Sequence, residues 1–156
     1  QILEVPERQV DTLLQQSAAE ISRQIATEVL VIEDEPLIAL ELKRVLEDLG
    51  HKVAIARTRD AALRAAQLKQ PGLVIADIRL ADGSSGLDAV NDLLGRLTVP
   101  VVFVTAFPER LATGRGPEPT FLIHKPFREE AITAIVSQVL FFDQQAKRRG
   151  SSPAPA

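Results

Sequence analysis

The chain has 156 residues, a mass of 17.0 kDa and a net charge of −3, with 46% apolar and 25% charged residues. These values are typical of one globular domain with some attached sequence, and they provide no general attraction to nucleic acid or to an anionic membrane. The absence of cysteine excludes disulfides, thiolate zinc sites and cysteine nucleophiles, and no apolar run approaches the roughly 20 residues that span a bilayer. We therefore expect a cytoplasmic protein, and since the chain contains no methionine, we expect Gln1 to be a cut end.

The first segment of the chain is predicted to form an amphipathic helix from Pro6 to Ile25. Its apolar residues recur at about 100° per residue, as expected for one face of a helix. These residues are Val10, Leu13, Leu14, Ala18, Ile21 and Ile25. The pattern predicts an extra helix in front of the rest of the chain.

After this segment, short apolar strands alternate with amphipathic helices. The predicted strands are 29–32, 52–56, 73–76, 101–104 and 121–124, and the predicted helices are about 36–49, 60–69, 87–97 and 128–142. This alternation predicts an α/β fold with a doubly wound five-stranded parallel sheet in the flavodoxin-like order 2-1-3-4-5. Residues 143–156 are predicted to be a disordered tail.

The last predicted helix and residues 106–120 are expected to form an output surface, the face through which the domain contacts the part of the protein that it controls. Apolar residues on one helix face should pack on the sheet, and these are Ile132, Ile135, Val136, Val139 and Leu140. Phe141 points the other way, which leaves an aromatic ring for a partner to cover. Residues 106–120 are rich in proline and glycine, so we expect no firm helix there.

Chemically matched residues follow four of the five predicted strands. They are Glu33 with Asp34, Asp77, Thr105 and Lys125. The carboxyl ends of parallel strands lie at one edge of a sheet, and the order 2-1-3-4-5 makes Asp77 central. Lys125 lies two strand gaps away, roughly 10 Å, and a lysine side chain covers most of that distance.

Three of these residues are carboxylates, which predicts a site for a hard divalent cation. Glu33, Asp34 and Asp77 would repel one another unless a cation such as Mg²⁺ lay between them. A carboxylate beside Mg²⁺, a hydroxyl and a lysine together describe a phosphoryl acceptor. Asp77 would be the nucleophile, Lys125 would neutralise charge, and Thr105 would donate a hydrogen bond to a phosphoryl oxygen.

The motifs "VIEDEP", "VIADIRLADGSSG", "FVTAF" and "HKPF" resemble those of the CheY-like receiver domains of two-component response regulators. The resemblance covers about residues 29–142. It implies that Asp77 takes a phosphoryl group from a histidine kinase or phosphotransferase, with Mg²⁺ held by Glu33, Asp34, Asp77 and the backbone carbonyl of Arg79. It also implies that Thr105 and Lys125 form a switch pair, and that the chain is not an enzyme beyond slow autodephosphorylation.

Three further stretches, "ADGSSGLDAVNDLL", "TAFPERL" and "GPEPTFLIHKPF", are similar to PhyR-type regulators of the bacterial general stress response. In that family a sigma-factor-like domain precedes the receiver, and phosphorylation frees it to capture an anti-sigma factor. The resemblance implies that residues 1–27 end a sigma-like domain and that 28–142 form the receiver. The implied partners are the sigma-like domain in cis and an anti-sigma factor, with no direct contact to nucleic acid or membrane.

The chain departs from the common receiver pattern at the switch aromatic. Many receivers have an aromatic residue three positions before the lysine, where this chain has Leu122. Phe107, two residues after Thr105, is the candidate replacement.

Other readings stay open. The receiver could control a DNA-binding output, or act alone in a phosphorelay. A reading helix in residues 1–25 would have few basic residues, chiefly Arg8 and Arg23, for phosphate contacts. A phosphatase or phosphotransferase with an aspartyl nucleophile usually has a second acid two residues later, where this chain has Arg79.

Overall fold

A six-stranded parallel sheet lies at the centre of the computed structural model, which describes residues 2–4, 26–78, 86–106 and 120–151. The strands are β1 (Ile2–Glu4), β2 (Glu28–Ile32), β3 (Lys52–Ala56), β4 (Leu73–Ala76), β5 (Val101–Thr105) and β6 (Thr120–His124). The helices are α1 (Pro36–Asp48), α2 (Arg59–Leu68), α3 (Gly86–Leu94) and α4 (Glu129–Ser151). No helix in this described part of the chain has the length and apolar character needed to cross a membrane.

The order of the strands is β1-β6-β5-β4-β2-β3. Counted from β2 along the chain, five of these strands have the order 2-1-3-4-5, so the predicted doubly wound sheet is confirmed. Each of these strands is parallel to its neighbours, and the last residue of β2 is in register with the last residues of both β3 and β4. The carboxyl ends of the strands therefore meet at one edge of the sheet.

Strand β1 was not predicted from the sequence. It pairs in parallel with β6, with Ile2 opposite Thr120 and Glu4 opposite Leu122. Three residues are too short for a periodic signal, and the pairing depends on a partner more than a hundred residues away. The predicted helix from Pro6 to Ile25 lies outside the described residues.

The core consists of two apolar clusters, one on each face of the sheet. Successive residues of β2 point to opposite faces, so Leu30 and Ile32 contact the cluster under α2 and α3, whereas Val29 and Val31 contact the cluster under α1 and α4. All four side chains are at most 2% exposed. Burial on both faces explains why the strands are apolar without interruption, and it leaves the charged residues at the strand ends.

Helix α4 packs on the sheet as predicted and continues beyond its predicted end. The five residues expected to face the sheet are all buried, while Phe141 and Phe142 are 42% and 56% exposed. The helix extends to Ser151, so residues 143–151 of the predicted disordered tail are helical. Good helix formers and an ion pair of 3.0 Å between Lys147 and Asp143 stabilise these last turns.

Candidate functional site

Backbone hydrogen bonds extend the sheet by one residue beyond three of its strands. The N–H groups of Glu33, Asp77 and Lys125 donate to the carbonyls of the last residues of β3, β2 and β5, over 3.0, 2.8 and 2.9 Å. These residues are therefore held in the sheet's register although they lie past the strand ends. These backbone hydrogen bonds determine the positions of the three Cα atoms from which the side chains extend.

Three carboxylates converge at this edge. Glu33, Asp34 and Asp77 each offer an oxygen, and the three oxygens lie within 4.8 Å of one another. The side chains of Glu33 and Asp77 are only 2% and 12% exposed. Hard cations such as Mg²⁺ bind clustered carboxylate oxygens of this kind together with water, so the donor set fits the predicted cation.

Lys125 joins two of these carboxylates. Its Nζ lies 2.7 Å from Oε1 of Glu33 and 2.9 Å from Oδ2 of Asp77, and its side chain is 14% exposed. The second oxygen of Glu33 accepts the N–H of Glu35 over 3.3 Å. The ammonium of Lys125 thus contacts two members of a group of three carboxylates, and a bound cation would balance the negative charge that remains.

The pKa values of the site reflect this crowding. Burial raises the pKa of Glu33 to about 7, and the charge of Asp77 adds to the rise, while the hydrogen bond from Lys125 opposes it. Burial alone would lower the pKa of Lys125, but its hydrogen bonds to Glu33 and Asp77 outweigh this effect and raise it. Lys125 is therefore held as a cation beside the carboxylates.

Thr105 ends β5 next to these groups. It is 1% exposed, lies in register with His124, and accepts the Lys125 N–H at its own carbonyl. The structure thus brings together Glu33, Asp34, Asp77 and Lys125, with Thr105 on the neighbouring strand. The predicted carbonyl ligand at Arg79 and the predicted switch residue Phe107 lie outside the described residues.

Two residues at this edge were missed by the sequence analysis. Arg57, the first residue after β3, donates from Nη2 to the carbonyl of Asp34 over 3.2 Å. The rule that selected the other strand-end residues would have selected Arg57 as well. Gly86, the first residue of α3, lies against the backbone of Asp77; its sequence signal is a glycine directly before an apolar helical pattern.

The fold and this edge of acids and lysine are those of a receiver domain. A family model described as the response regulator receiver domain matches residues 29–137. Since this match covers more than half of the chain, the chain belongs to the response regulator receiver family. Receiver domains in general bind Mg²⁺ at an acidic pocket and interact with histidine kinases.

Within this family the chain is similar to PhyR proteins. It is 55% identical over 150 residues to the phyllosphere-induced regulator PhyR of Methylorubrum extorquens. The aligned region covers 95% of this chain and 56% of that protein. The crystal structure of PhyR from Brucella abortus matches with a TM-score of 0.80 and 53% identity, over 89% of this chain and 58% of the other.

A third similar structure contains a partner. It is the anti-anti-sigma factor PhyR from Bartonella quintana in complex with the anti-sigma factor NepR, with 56% identity and a TM-score of 0.55, over 83% of this chain and 53% of the other. The chain spans a little over half the length of these PhyR proteins.

Proposed function

We propose that Asp77 accepts a phosphoryl group from a phosphohistidine of a histidine kinase or phosphotransferase. Mg²⁺ would be held by the carboxylates of Glu33, Asp34 and Asp77 and by the carbonyl of Arg79. The main support is the group of three carboxylate oxygens within 4.8 Å, with the ammonium of Lys125 in contact with two of the acids. Clustered carboxylates repel one another, and groups perturbed in this way are concentrated at functional sites.

In the proposed transfer, a carboxylate oxygen of Asp77 attacks the phosphorus atom as the P–N bond to the donor histidine breaks. The electron pair of that bond stays on the imidazole nitrogen, and an aspartyl phosphate forms. Mg²⁺, when bound, supplies positive charge beside the phosphoryl oxygens. Lys125 moves from Asp77 to a phosphoryl oxygen, and the Thr105 hydroxyl donates a hydrogen bond to another.

Labelling with acetyl phosphate tests the acceptor. With Mg²⁺ present, the chain should gain the mass of one phosphoryl group, and this label should be labile to hydroxylamine. Asp77→Asn should abolish it, whereas Asp48→Asn, at an exposed acid on α1, should not. Labelling that persists in Asp77→Asn would refute the assignment.

Magnesium titration tests the pocket independently. Asp34→Ala should weaken Mg²⁺ binding and phosphorylation together, since one cation serves both. Glu33→Ala should weaken them less if Glu33 contacts the metal through water. Calorimetry suits the measurement because the chain contains no tryptophan or tyrosine to report binding by fluorescence. Unchanged binding in Asp34→Ala would exclude this pocket.

The phosphodonor would approach over the first turns of α1. Leu37 and Leu40 are 79% and 58% exposed, and α1 begins two residues after Asp34. Exposed apolar residues beside a reactive site are typical of a contact surface for a partner protein. Leu37→Ser with Leu40→Ser should slow transfer from a phosphorylated kinase but not from acetyl phosphate. Leu68→Ser, at an 89% exposed leucine on α2, is the matched control.

We also propose that phosphorylation controls a sigma-like domain in the same protein, which binds an anti-sigma factor. The support is the similarity to PhyR proteins, one of which is solved with NepR. On the receiver, the candidate docking surface for that domain is α4, where Phe141 and Phe142 form an exposed edge-to-face pair with centroids 6.1 Å apart. Phe142 also lines an apolar groove of about 500 Å³ between α4 and the segment that follows α3.

The full-length protein that contains this chain should bind an anti-sigma factor of its own genome more tightly when Asp77 is phosphorylated. Phe142→Ser should raise binding by the unphosphorylated protein, because it weakens the inhibitory contact. Phosphorylation that leaves the affinity unchanged would refute this output. Salt-dependent binding to duplex DNA would instead favour a DNA-binding output.

A further inference from the structure

We propose that Gly86 is a positioning residue for the phosphoryl acceptor, because only a residue without a side chain lets α3 begin directly against the backbone of Asp77. This inference rests on the proposed function of Asp77. It adds a residue that makes no contact with metal or phosphoryl group yet determines where the acceptor lies.

The contact is between backbone atoms on both sides. The N–H of Gly86 donates to the carbonyl of Ile78 over 2.6 Å. A Cβ atom placed on Gly86 would lie 1.6 Å from the carbonyl oxygen of Asp77 and 2.7 Å from its carbonyl carbon. Cβ atoms essentially never lie within 3.0 Å of such atoms, so the two backbones would have to separate by more than an ångström. No side-chain rotation can relieve this clash.

The requirement is for space and not for an unusual backbone conformation. In the described part of the chain, Gly50 is the glycine with a positive φ, and Gly86 is not in that region. Alanine is also a better helix former than glycine. An effect of alanine at position 86 would therefore come from the contact with Asp77.

Asp77 is the side of this contact that would have to move. Helix α3 is anchored by the buried side chains of Leu87, Ala89, Val90 and Leu93, which pack in the core against the sheet. Asp77 lies past the end of β4 and is held there by its N–H bond to the carbonyl of Ile32. Displacing its backbone would shift its carboxylate relative to Glu33 and Lys125, and both metal binding and phosphoryl transfer depend on that geometry.

Two other glycines provide matched controls. Gly72 is also too close for a side chain, since its Cβ would lie 2.0 Å from Oγ1 of Thr27, but it precedes β4 at the opposite edge of the sheet. Gly95, just after α3, has room for a side chain, since the atom nearest to an added Cβ would be the carbonyl oxygen of Asp92, at 3.4 Å. Gly72→Ala therefore shows the effect of a steric clash away from the site, and Gly95→Ala shows the effect of alanine near α3 without a clash.

Gly86→Ala, Gly72→Ala and Gly95→Ala should be compared in the 156-residue chain by Mg²⁺ calorimetry, acetyl phosphate labelling and thermal unfolding. Gly86→Ala should lose about tenfold or more in Mg²⁺ affinity and about a hundredfold in the labelling rate at saturating Mg²⁺. Gly72→Ala should lower the unfolding temperature and keep both site properties, and Gly95→Ala should change neither. Equal losses in Gly86→Ala and Gly72→Ala, or wild-type behaviour of Gly86→Ala, would overturn the inference.

A measurement on the unsubstituted chain covers the case in which Gly86→Ala fails to fold. In a ¹⁵N-resolved NMR titration with Mg²⁺, the amide resonance of Gly86 should change its chemical shift, and the concentration dependence of that change should give the same affinity as calorimetry. The amide resonances of Gly72 and Gly95 should not change. An unmoved Gly86 amide would also overturn the inference. If the unsubstituted chain takes no phosphoryl group at all, the proposed function fails, and that outcome is distinct from all of these.

Discussion

The two edges of the sheet are built from different chemistry. At the carboxyl edge, the ionisable side chains of Glu33, Asp77 and Lys125 are nearly buried, and Lys125 lies within hydrogen-bonding distance of both acids. At the amino edge, close contacts are made by neutral groups of His51, which is buried, and of Thr27 and Gly72, which are half-buried. The comparison teaches that neutral backbone contacts join the strands at the amino edge, whereas the carboxyl edge concentrates acids whose charge is balanced by Lys125.

The amino edge consists of closely fitted backbone contacts. The N–H of Thr27 donates to Nδ1 of His51 over 3.2 Å, and its carbonyl accepts the N–H of Lys52 over 3.1 Å. The N–H of Gly72 donates to the carbonyl of Glu28 over 2.8 Å. These bonds join the starts of β2, β3 and β4, so each substitution there should act on folding and not on the site.

The largest expected effect on stability is at Lys125. Lys125→Ala leaves Glu33 and Asp77 facing each other without their shared cation, and should lower the free energy of unfolding by about 3–5 kcal/mol in the absence of metal. Excess Mg²⁺ should restore part of the loss, because the metal replaces the missing positive charge. Urea unfolding with and without Mg²⁺ measures both.

Asp77→Asn is the companion variant, with the opposite expectation. It removes a negative charge from the same cluster, so it should leave the metal-free protein as stable as the unsubstituted chain or more stable. If both variants destabilised it equally, the carboxyl edge would be a structural ion pair and the contrast between the edges would be lost.

Gly72→Ala should have the next largest effect. Its Cβ would lie 2.0 Å from the Thr27 hydroxyl, and overpacking of this kind typically costs about 1–3 kcal/mol. Adding Thr27→Ala removes the nearest atom and should recover most of the stability, which a double-mutant cycle in urea would measure. Additive losses in the double variant would show that the two residues are not in contact.

His51 should make stability depend on pH at the amino edge. Burial lowers the pKa of His51 below its ordinary value of 6.5, and its Nδ1 accepts a hydrogen bond, so the fold requires the neutral ring. Its contribution is therefore complete above pH 6.5 and is lost as the pH falls toward the lower pKa of the folded state. The slope from this one group is at most about 1.4 kcal/mol per pH unit.

His51→Gln keeps an acceptor but removes the titration, so its stability should fall less between pH 6.5 and 5 than that of the unsubstituted chain. His124 is the other histidine of the chain and is exposed, so His124→Gln serves as the control. Identical pH profiles for all three proteins would show that His51 is protonated without cost.

The smallest effect is expected at Lys69. It pairs with Glu28 at 3.0 Å on the amino edge, but the two side chains are 62% and 31% exposed. Exposed ion pairs contribute about 0.2–1 kcal/mol, so Lys69→Ala should lower the free energy of unfolding by no more than that. If Lys69→Ala lowered the free energy of unfolding as much as Lys125→Ala does, the buried lysine and the exposed lysine would contribute equally to stability, and the expected contrast would be wrong.

Local patterns in the sequence predicted the sheet and most of the candidate site. Four of the five predicted strands are followed by informative residues, and the parallel order then brings Glu33, Asp77 and Lys125 to one edge without any need to know their distances. The sequence also predicted which residues of α4 face the sheet, because that depends only on helical period.

Features that depend on close approach between distant segments were not predictable. Nothing local to Gly86 shows that α3 begins against the carbonyl of Asp77, and nothing local to His51 shows that its ring accepts the N–H of Thr27. The length of α4 was underestimated for another reason. Gln144 to Arg149 read as a polar tail by composition, although these residues are good helix formers when a preceding helix is already nucleated.

Strand β1 has a consequence for self-association. Without it, the five residues of β6 would form the outer strand on that side, and an unpaired strand is a template on which another chain can add. With it, the outermost strand in the described part of the sheet has three residues, too few to guide much pairing. The opposite outer strand, β3, starts with the exposed Lys52, a charge that disfavours pairing with a strand of another chain. Removing residues 1–4 should therefore make the domain more prone to aggregate at high concentration, even if the acidic site at the carboxyl edge remains intact.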